Sequence, residues 1–168
     1  MPTRGLRMFA EAKGLTGLND FSRNNLQLSM EISGYWTFSE NSRFTWATSL
    51  GGGYTSGNYE FFQAQNLGGK TNLRGHRRSR FAGDAVFYSN TELRIRLLDL
   101  KTYLFPASAG ILGFYDIGRV WFEQETSDKW HSGKGFGVWI APLNRLVIVG
   151  SMGFGEENLF ALTFGFQF

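Results

Sequence analysis

The chain has 168 residues, a hydrophobic content of 42% and a modest formal net charge of +3. Its length predicts a single domain, and the lack of cysteine excludes disulfide and thiolate chemistry. No apolar run approaches the roughly 18–20 residues of a membrane-spanning helix, although a membrane-spanning strand needs only about 9–11 residues. The opening MPTRGLRM lacks the apolar segment of a signal peptide, so an exported protein would be represented here by its mature part or by a fragment.

Alternation of apolar and polar residues predicts an all-β fold of about eight strands, without a helix. In the second strand, for example, Leu26, Leu28 and Met30 alternate with Gln27 and Ser29. The predicted strands are Gly5–Lys13, Asn25–Phe38, Arg43–Thr55, Ala85–Leu97, Gly110–Phe122, Gly133–Ile140, Leu146–Gly153 and Leu159–Phe168.

Two architectures fit such strands. In a soluble β-sandwich the apolar residues form the core, whereas in a transmembrane β-barrel they face lipid and the polar residues face the lumen. The strands are longer than the usual 5–6 residues of globular proteins, and their polar face carries Glu92, Arg94 and Arg96. Aromatic residues cluster at the strand ends, as in the interfacial girdles of barrels: Tyr35, Trp36, Phe38, Tyr103, Phe105, Trp121, Phe122, Phe164, Phe166 and Phe168. These features favour an antiparallel up-and-down transmembrane β-barrel.

The connections between the predicted strands alternate in length. Short turns at 39–43, around Pro106 and at 142–144 alternate with longer polar segments at 14–24, 58–84 and 123–132. Outer-membrane barrels have short periplasmic turns and long external loops, so this pattern places the segment 58–84 outside.

Other sites are poorly supported. The stretch 64–71, AQNLGGKT, fits a relaxed phosphate-loop pattern, but no helix is predicted after it. The histidines lie in different loops without a metal-binding motif, and no nucleophile elbow occurs. Glu92 and Asp116 could act as a general acid and base, but they are better explained as counter-charges to arginines. We therefore expect no enzymatic activity, no metal or other cofactor, and no nucleic-acid partner.

Four segments, LGGKTNLRGH (67–76), ELRIRL (92–97), FYDIGRVW (114–121) and FALTFGFQF (160–168), carry a family resemblance. Through these segments the chain resembles the C-terminal barrel portion of the outer-membrane insertase superfamily, the BamA/TamA-like bacterial surface antigens. The most specific element is the combination of LRGH at 73–76 with YDIG at 115–118. The resemblance spans essentially the whole chain, 1–168, and implies one transmembrane β-barrel domain in the bacterial outer membrane, with no POTRA domain in the chain.

The resemblance implies that the long loop folds back into the barrel, where a salt bridge joins it to the barrel wall. Arg74 would meet Asp116 and Glu92, which both fall on the polar face of their strands. The residues of this predicted site are Arg74, Gly75, His76, Glu92, Asp116 and Gly118. The family usually has an aromatic residue where this chain has His76, so this contact is expected to be softer here.

The chain has about half the strands of the sixteen-stranded barrels that the resemblance suggests. An eight-stranded barrel is barely wide enough for its own side chains, so the segment 58–84 does not fit inside one. Three arrangements follow: half of a larger barrel, two copies that close one barrel, or a small closed barrel with the loop outside.

The resemblance also implies a function and partners. We expect a barrel that helps to insert or translocate other outer-membrane proteins, with a passive pore or the transport barrel of a surface-displayed enzyme as alternatives. Phe164, Phe166 and Phe168 would form a C-terminal sorting signal read by the barrel-assembly machinery. Arg77, Arg78 and Arg80 would contact lipopolysaccharide. Other expected partners are outer-membrane lipid, client outer-membrane proteins or a second copy of the chain.

Overall fold

The computed structural model describes residues 4–16, 24–38, 43–100, 106–122, 128–143 and 146–166. These residues form ten strands and one short 3-10 turn at Phe61–Gln63. The strands are β1 (Gly5–Leu15), β2 (Asn25–Thr37), β3 (Phe44–Gly57), β4 (Gln65–Leu67), β5 (Phe81–Gly83), β6 (Ala85–Leu100), β7 (Ala107–Trp121), β8 (His131–Pro142), β9 (Leu146–Phe154) and β10 (Asn158–Phe166). Within these ranges, no helix has the length and apolar character needed to span a membrane.

Eight of the strands form one antiparallel sheet in the order β1-β2-β3-β6-β7-β8-β9-β10. Each long strand pairs with the long strand that follows it along the chain, which confirms the predicted up-and-down, all-β fold. The short strands β4 and β5 form a separate ribbon inside the segment 58–84, and the sequence did not predict them. In the part of the chain that the structure describes, β1 and β10 are the two edges of the large sheet and are not paired with each other.

The two faces of the sheet have the opposite polarity to a soluble protein. The apolar residues Leu26, Leu28 and Met30 of β2 are 46%, 43% and 47% exposed, whereas Asn25 and Ser33 on the other face are 6% exposed. The same exposed apolar face continues along β3, β8 and β10. A β-sandwich would bury these side chains between two sheets, so the β-sandwich alternative is wrong. The polarity is that of a sheet with lipid on one side and a polar lumen on the other.

Buried apolar residues lie on the inner face and form two clusters. One joins β7, β8 and β9 through Leu112, Phe114, Trp139, Ala141 and Val147. The other contains Leu67 and Leu73 from the segment 58–84, packed on Val86 of β6. The second cluster therefore fixes a loop to the sheet rather than one sheet to another.

The position of the segment 58–84 decides against one of the three arrangements. Its residues Leu67 and Leu73 are 0% exposed against the inner face, and Arg74 reaches Asp116 on that same face. A small closed barrel with this loop outside does not agree with that placement, because the loop packs on the inner face of the sheet. Half of a larger barrel and two copies that close one barrel stay as predictions.

Candidate functional site

The candidate site is the contact between the inner face and the segment 58–84, which we call the lock loop. The lock loop leaves β3, makes the 3-10 turn, and folds back as the β4–β5 ribbon before it enters β6. At its start, Asn25 and Gln27 of β2 donate hydrogen bonds to Gln63, at 3.0 Å to the side-chain oxygen and 2.9 Å to the carbonyl. The polar inner face of β2 thus positions the beginning of the loop.

Asn72 holds the turn at the far end of the lock loop. Its side-chain oxygen accepts a hydrogen bond from the Gly68 amide at 3.0 Å, and its side-chain nitrogen donates to the Asn66 carbonyl at 2.9 Å. Asn90 of β6 donates to the Asn72 carbonyl at 3.1 Å. The sequence analysis missed Asn72, although an Asn that follows a Gly-Gly turn is typical of such side-chain-stabilised turns.

Arg74 joins the lock loop to two strands of the sheet. Its backbone amide and its Nε donate hydrogen bonds to Oδ2 of Asp116 at 2.9 and 2.7 Å, and Nη2 donates to Oδ1 at 2.7 Å. Nη1 donates to Oε2 of Glu92 at 2.6 Å. Asp116 is 0% exposed, and both of its carboxylate oxygens accept hydrogen bonds from this one arginine of the loop. We call Arg74, Glu92 and Asp116 the Arg74 network.

Neighbouring residues balance the charges of the Arg74 network. Glu92 also accepts a hydrogen bond from Nε of Arg94 at 2.5 Å, so two guanidinium groups face two carboxylates. The Arg74 guanidinium lies 3.6 Å from the centre of the Phe114 ring, which adds a cation–π contact. Burial disfavours its charged form, but Asp116 and Glu92 outweigh this effect and raise the pKa of Arg74 above its ordinary value. Arg74 therefore stays charged inside the sheet.

The tip of the lock loop, Arg74–His76, approaches the sheet at positions that only glycine permits. A Cβ atom on Gly133 would lie 1.8 Å from the Arg74 carbonyl oxygen, and one on Gly153 would lie 2.6 Å from the Gly75 nitrogen. Gly75 itself has a φ of +85°, which favours glycine. On β7, a Cβ on Gly118 would lie 2.8 Å from a methyl carbon of Leu67. The sequence analysis included Gly118 in the site but missed Gly133 and Gly153.

His76 is 5% exposed and lies under the hairpin between β9 and β10. Its Nε2 is 3.0 Å from the Ser132 carbonyl oxygen, and its Nδ1 is 3.8 Å from a carboxylate oxygen of Glu156. Its ring also contacts Phe81, which stacks on His131 at a centroid distance of 3.6 Å. His76 therefore fills a buried aromatic position and adds a polar contact to β8.

Two of the three basic residues that follow the tip form ion pairs with the β9–β10 hairpin. Arg77 contacts Glu157 at 2.9 Å, and Arg80 contacts Glu156 at 2.6 Å. The hydrogen bond from Arg80 lowers the pKa of the Glu156 carboxyl below its ordinary value. Arg78 is exposed, and no ion pair with it occurs within the described ranges. The predicted basic cluster is thus largely neutralised by the protein itself.

The predicted sorting signal lies on β10 and beyond it. Phe164 is on the exposed apolar face, 62% exposed, and Phe166 is the last residue of the strand. Phe168 lies outside the described residues, as do Tyr103 and Phe105 of the predicted aromatic girdle.

Chemically, the site is an ion-pair network that fastens a loop. Glu92 and Asp116 are both occupied by guanidinium groups, which leaves neither as a free general base. Among the residues described, no group of three His, Asp or Glu side chains is arranged to hold a metal ion.

Comparison with known proteins gives one result. No curated protein matches the chain significantly. A family model described as the Omp85 superfamily domain matches residues 1–168. The exposed apolar face, the polar inner face and the up-and-down topology agree with the β-barrel fold of that family. The chain therefore belongs to the Omp85 superfamily, a family of bacterial outer-membrane β-barrel proteins that act in protein insertion and translocation.

Proposed function

We propose that this domain helps client proteins to insert into the outer membrane by lending them a strand edge of its sheet. The observation that carries the proposal is the pair of edges at β1 and β10, which flank a sheet whose centre is fastened by the lock loop. Both edges are made of strands of membrane-spanning length, with 11 residues in β1 and 9 in β10. An extended client segment can add to such an edge through backbone hydrogen bonds.

The Arg74 network supports this function because it holds together the central strands of the sheet, which must stay paired. The lock loop contacts β6 through Glu92, β7 through Asp116, and β8 through Ser132. It also reaches the β9–β10 hairpin through Glu156 and Glu157. An incoming strand would therefore pair at an edge of the sheet, and the central strands would stay together.

The proposal includes the partners that the sequence suggests. The exposed apolar face would contact outer-membrane lipid, and Arg78 would be the basic residue of the loop most available to lipopolysaccharide phosphate. The end of β10, with Phe164 and Phe166, would be the segment that the barrel-assembly machinery recognises. No catalytic role is part of the proposal.

The test is an insertion assay with liposomes that contain the chain. A urea-unfolded eight-stranded outer-membrane barrel is added, and its folded fraction is read from its faster migration on unheated gels. We expect more folded client with the chain than with empty liposomes. Gly133→Ala should reduce this gain, because the new methyl group displaces the tip of the lock loop without changing any charge.

The matched control is Gly113→Ala in the central strand β7, where a Cβ would meet no atom closer than 3.9 Å. This variant should retain the full gain in folded client, and the folded state of each variant is checked by its own heat-dependent migration. If the chain gave no gain over empty liposomes but conducted ions across a planar bilayer, the passive-pore alternative would replace the proposal.

A further inference from the structure

We propose that Lys134 of β8 binds a phosphate group of lipopolysaccharide on the outward face of the sheet, in a site flanked by Tyr115, Phe136 and Phe154. These residues lie on β7, β8 and β9, on the face opposite the lock loop. The inference rests on the membrane placement of the proposed function, but it does not depend on the insertion activity.

Charged residues are distributed unequally between the two faces of the sheet. In the long strands, as far as the structure describes them, Lys134 of β8 and Arg119 of β7 are the only charged residues of outward parity. The other charged residues of these strands, for example Glu31, Glu92 and Arg94, have inward parity. The outward face therefore carries two positive charges and no negative one.

The neighbours of the two cations in sequence fix their direction. Gly133, which precedes Lys134, faces the lock loop, since a Cβ there would lie 1.8 Å from the Arg74 carbonyl oxygen. Val120, which follows Arg119, packs against the apolar cluster of the lock loop on the inner face. Because successive side chains of a strand point to opposite faces, both cations point to the lipid side.

Both cations lie near the end of the sheet from which the lock loop starts. The start of β6 at Ala85 pairs with the end of β7 at Trp121, and the start of β8 at His131 pairs with Gly118. These strand ends therefore lie together, and long loops of outer-membrane barrels are external. The cations are thus on the side of the outer leaflet, where lipopolysaccharide carries phosphate groups on its lipid A anchor.

Aromatic residues mark the depth of the site in the membrane. Trp121 and Trp130 lie edge to face with a centroid distance of 6.3 Å, and the Arg119 guanidinium lies 4.9 Å from the centre of the Trp121 ring. Tryptophan is enriched at the boundary between membrane and water. On the other side of Lys134, Phe136 is 62% exposed and begins the apolar band of β8. Lys134 therefore lies between the aromatic rim and the apolar band, at the depth of lipid phosphate groups.

Lys134 has no counter-charge from the protein. Arg119 donates a hydrogen bond to Asp128 at 2.8 Å, whereas no ion pair with Lys134 occurs within the described ranges. The partners of Lys134 in register are the uncharged Tyr115 on β7 and Phe154 on β9. An ammonium group with aromatic neighbours at the edge of the hydrocarbon layer suits a lipid phosphate, whose acyl chains would lie on the apolar band.

The experiment is native mass spectrometry of the full chain, refolded in detergent micelles and titrated with diphosphorylated lipid A. We expect Lys134→Gln to weaken the binding of lipid A roughly fivefold, which is the effect of one basic residue at a membrane surface. Lys134→Arg, which keeps the charge, should retain the binding. Phosphatidylcholine, whose headgroup has no net charge, should bind equally to the unmodified chain and to Lys134→Gln.

The matched control is Lys13→Gln in β1, which removes one positive charge of inward parity and should leave lipid A binding unchanged. Heat-dependent migration checks that each variant is folded. Unchanged lipid A binding by Lys134→Gln would overturn the proposal, and a loss in Arg78→Gln instead would assign the phosphate to the lock loop. An equal loss in Lys13→Gln, or an equal loss of phosphatidylcholine, would also overturn it, because the effect would then not be specific to a phosphate at Lys134. The insertion assay is read separately, so each proposal can fail without the other.

Discussion

At the level of single residues, the buried charges of Arg74, Glu92 and Asp116 depend on each other. Asp116 is fully buried, and three of its hydrogen bonds come from Arg74. Removing one member of such a network leaves an uncompensated charge in a region with little water. The cost of this loss exceeds what the network contributes when it is intact.

We expect Arg74→Ala to destabilise the folded domain by about 3–5 kcal/mol, because two buried carboxylates lose their partner. Arg74→Lys should be intermediate, since an ammonium group cannot form the same forked contact with Asp116. The free energy of unfolding is measured by urea titration in micelles with tryptophan fluorescence. Arg78→Ala is the control, and an Arg74→Ala variant as stable as this control would contradict the structural role of the Arg74 network.

At the level of elements, the sheet presents apolar residues to lipid and polar residues to the lumen. Leu50 lies in the middle of β3 on the outward face, 48% exposed, and its neighbours in the register are Ile32 and Ser89. The residues at its sides, Ser49 and Gly51, face inward. The strand thus alternates between two solvents, and a substitution on one face is not equivalent to the same substitution on the other.

Leu50→Arg is expected to destabilise the domain by about 2–4 kcal/mol in phospholipid bilayers, because it places a charge near the bilayer midplane. Leu50→Phe, which keeps the position apolar, should have a small effect. The folded fraction of each variant in vesicles is measured from its migration on unheated gels. Equal folding of both variants would show that this face does not contact lipid.

The hairpin between β9 and β10 is held to the lock loop by a contact that acid weakens. The folded pKa of Glu156 is below its ordinary value because Arg80 donates a hydrogen bond to it. The stabilisation is therefore present above the unfolded pKa and is lost as the pH falls through the folded pKa. Other charged or titratable groups facing this contact are His76, Arg77, His131 and Glu157.

Amide hydrogen exchange at 155–157 and 76–80 should therefore become faster at acid pH, after correction for the intrinsic pH dependence of exchange. Glu156→Gln should remove much of this response. Exchange in Glu156→Gln that kept the acid dependence of the unmodified chain would assign the response to another group. The pair is exposed, so the effect should be confined to the hairpin and the lock loop.

At the level of the whole molecule, the lock loop lies on the polar inner face of the sheet, from β2 to β8. The loop is fixed by an apolar cluster and by the Arg74 network, and glycines of the sheet permit its close approach. A barrel that contains such a loop is partly closed at rest. The lumen should become conductive when the loop is removed.

Replacing residues 61–82 by a short Gly-Ser linker should raise the single-channel conductance in planar bilayers severalfold over that of the unmodified chain. Arg78→Ala, which leaves the loop in place, should have the conductance of the unmodified chain. An unchanged conductance after the replacement would show that the loop does not obstruct the lumen.

The strands and their two faces can be predicted from the residues alone. Period-two alternation is local, so the bounds of β2 and β3 could be predicted to within a few residues, and the parity of Glu92 and Asp116 followed from it. The contact of these residues with Arg74 was predicted from family resemblance, because alternation alone does not say which loop returns to the inner face.

The seating of the lock loop on the inner face depends on the tertiary structure. Leu67, Asn72, Gly133 and Gly153 are far apart along the chain, and their roles depend on contacts that no local pattern encodes. Gly133 and Gly153 give the loop tip room to approach the sheet. Within the described ranges, β1 and β10 each pair with a single neighbour, and this too is a property of the whole sheet rather than of a local pattern.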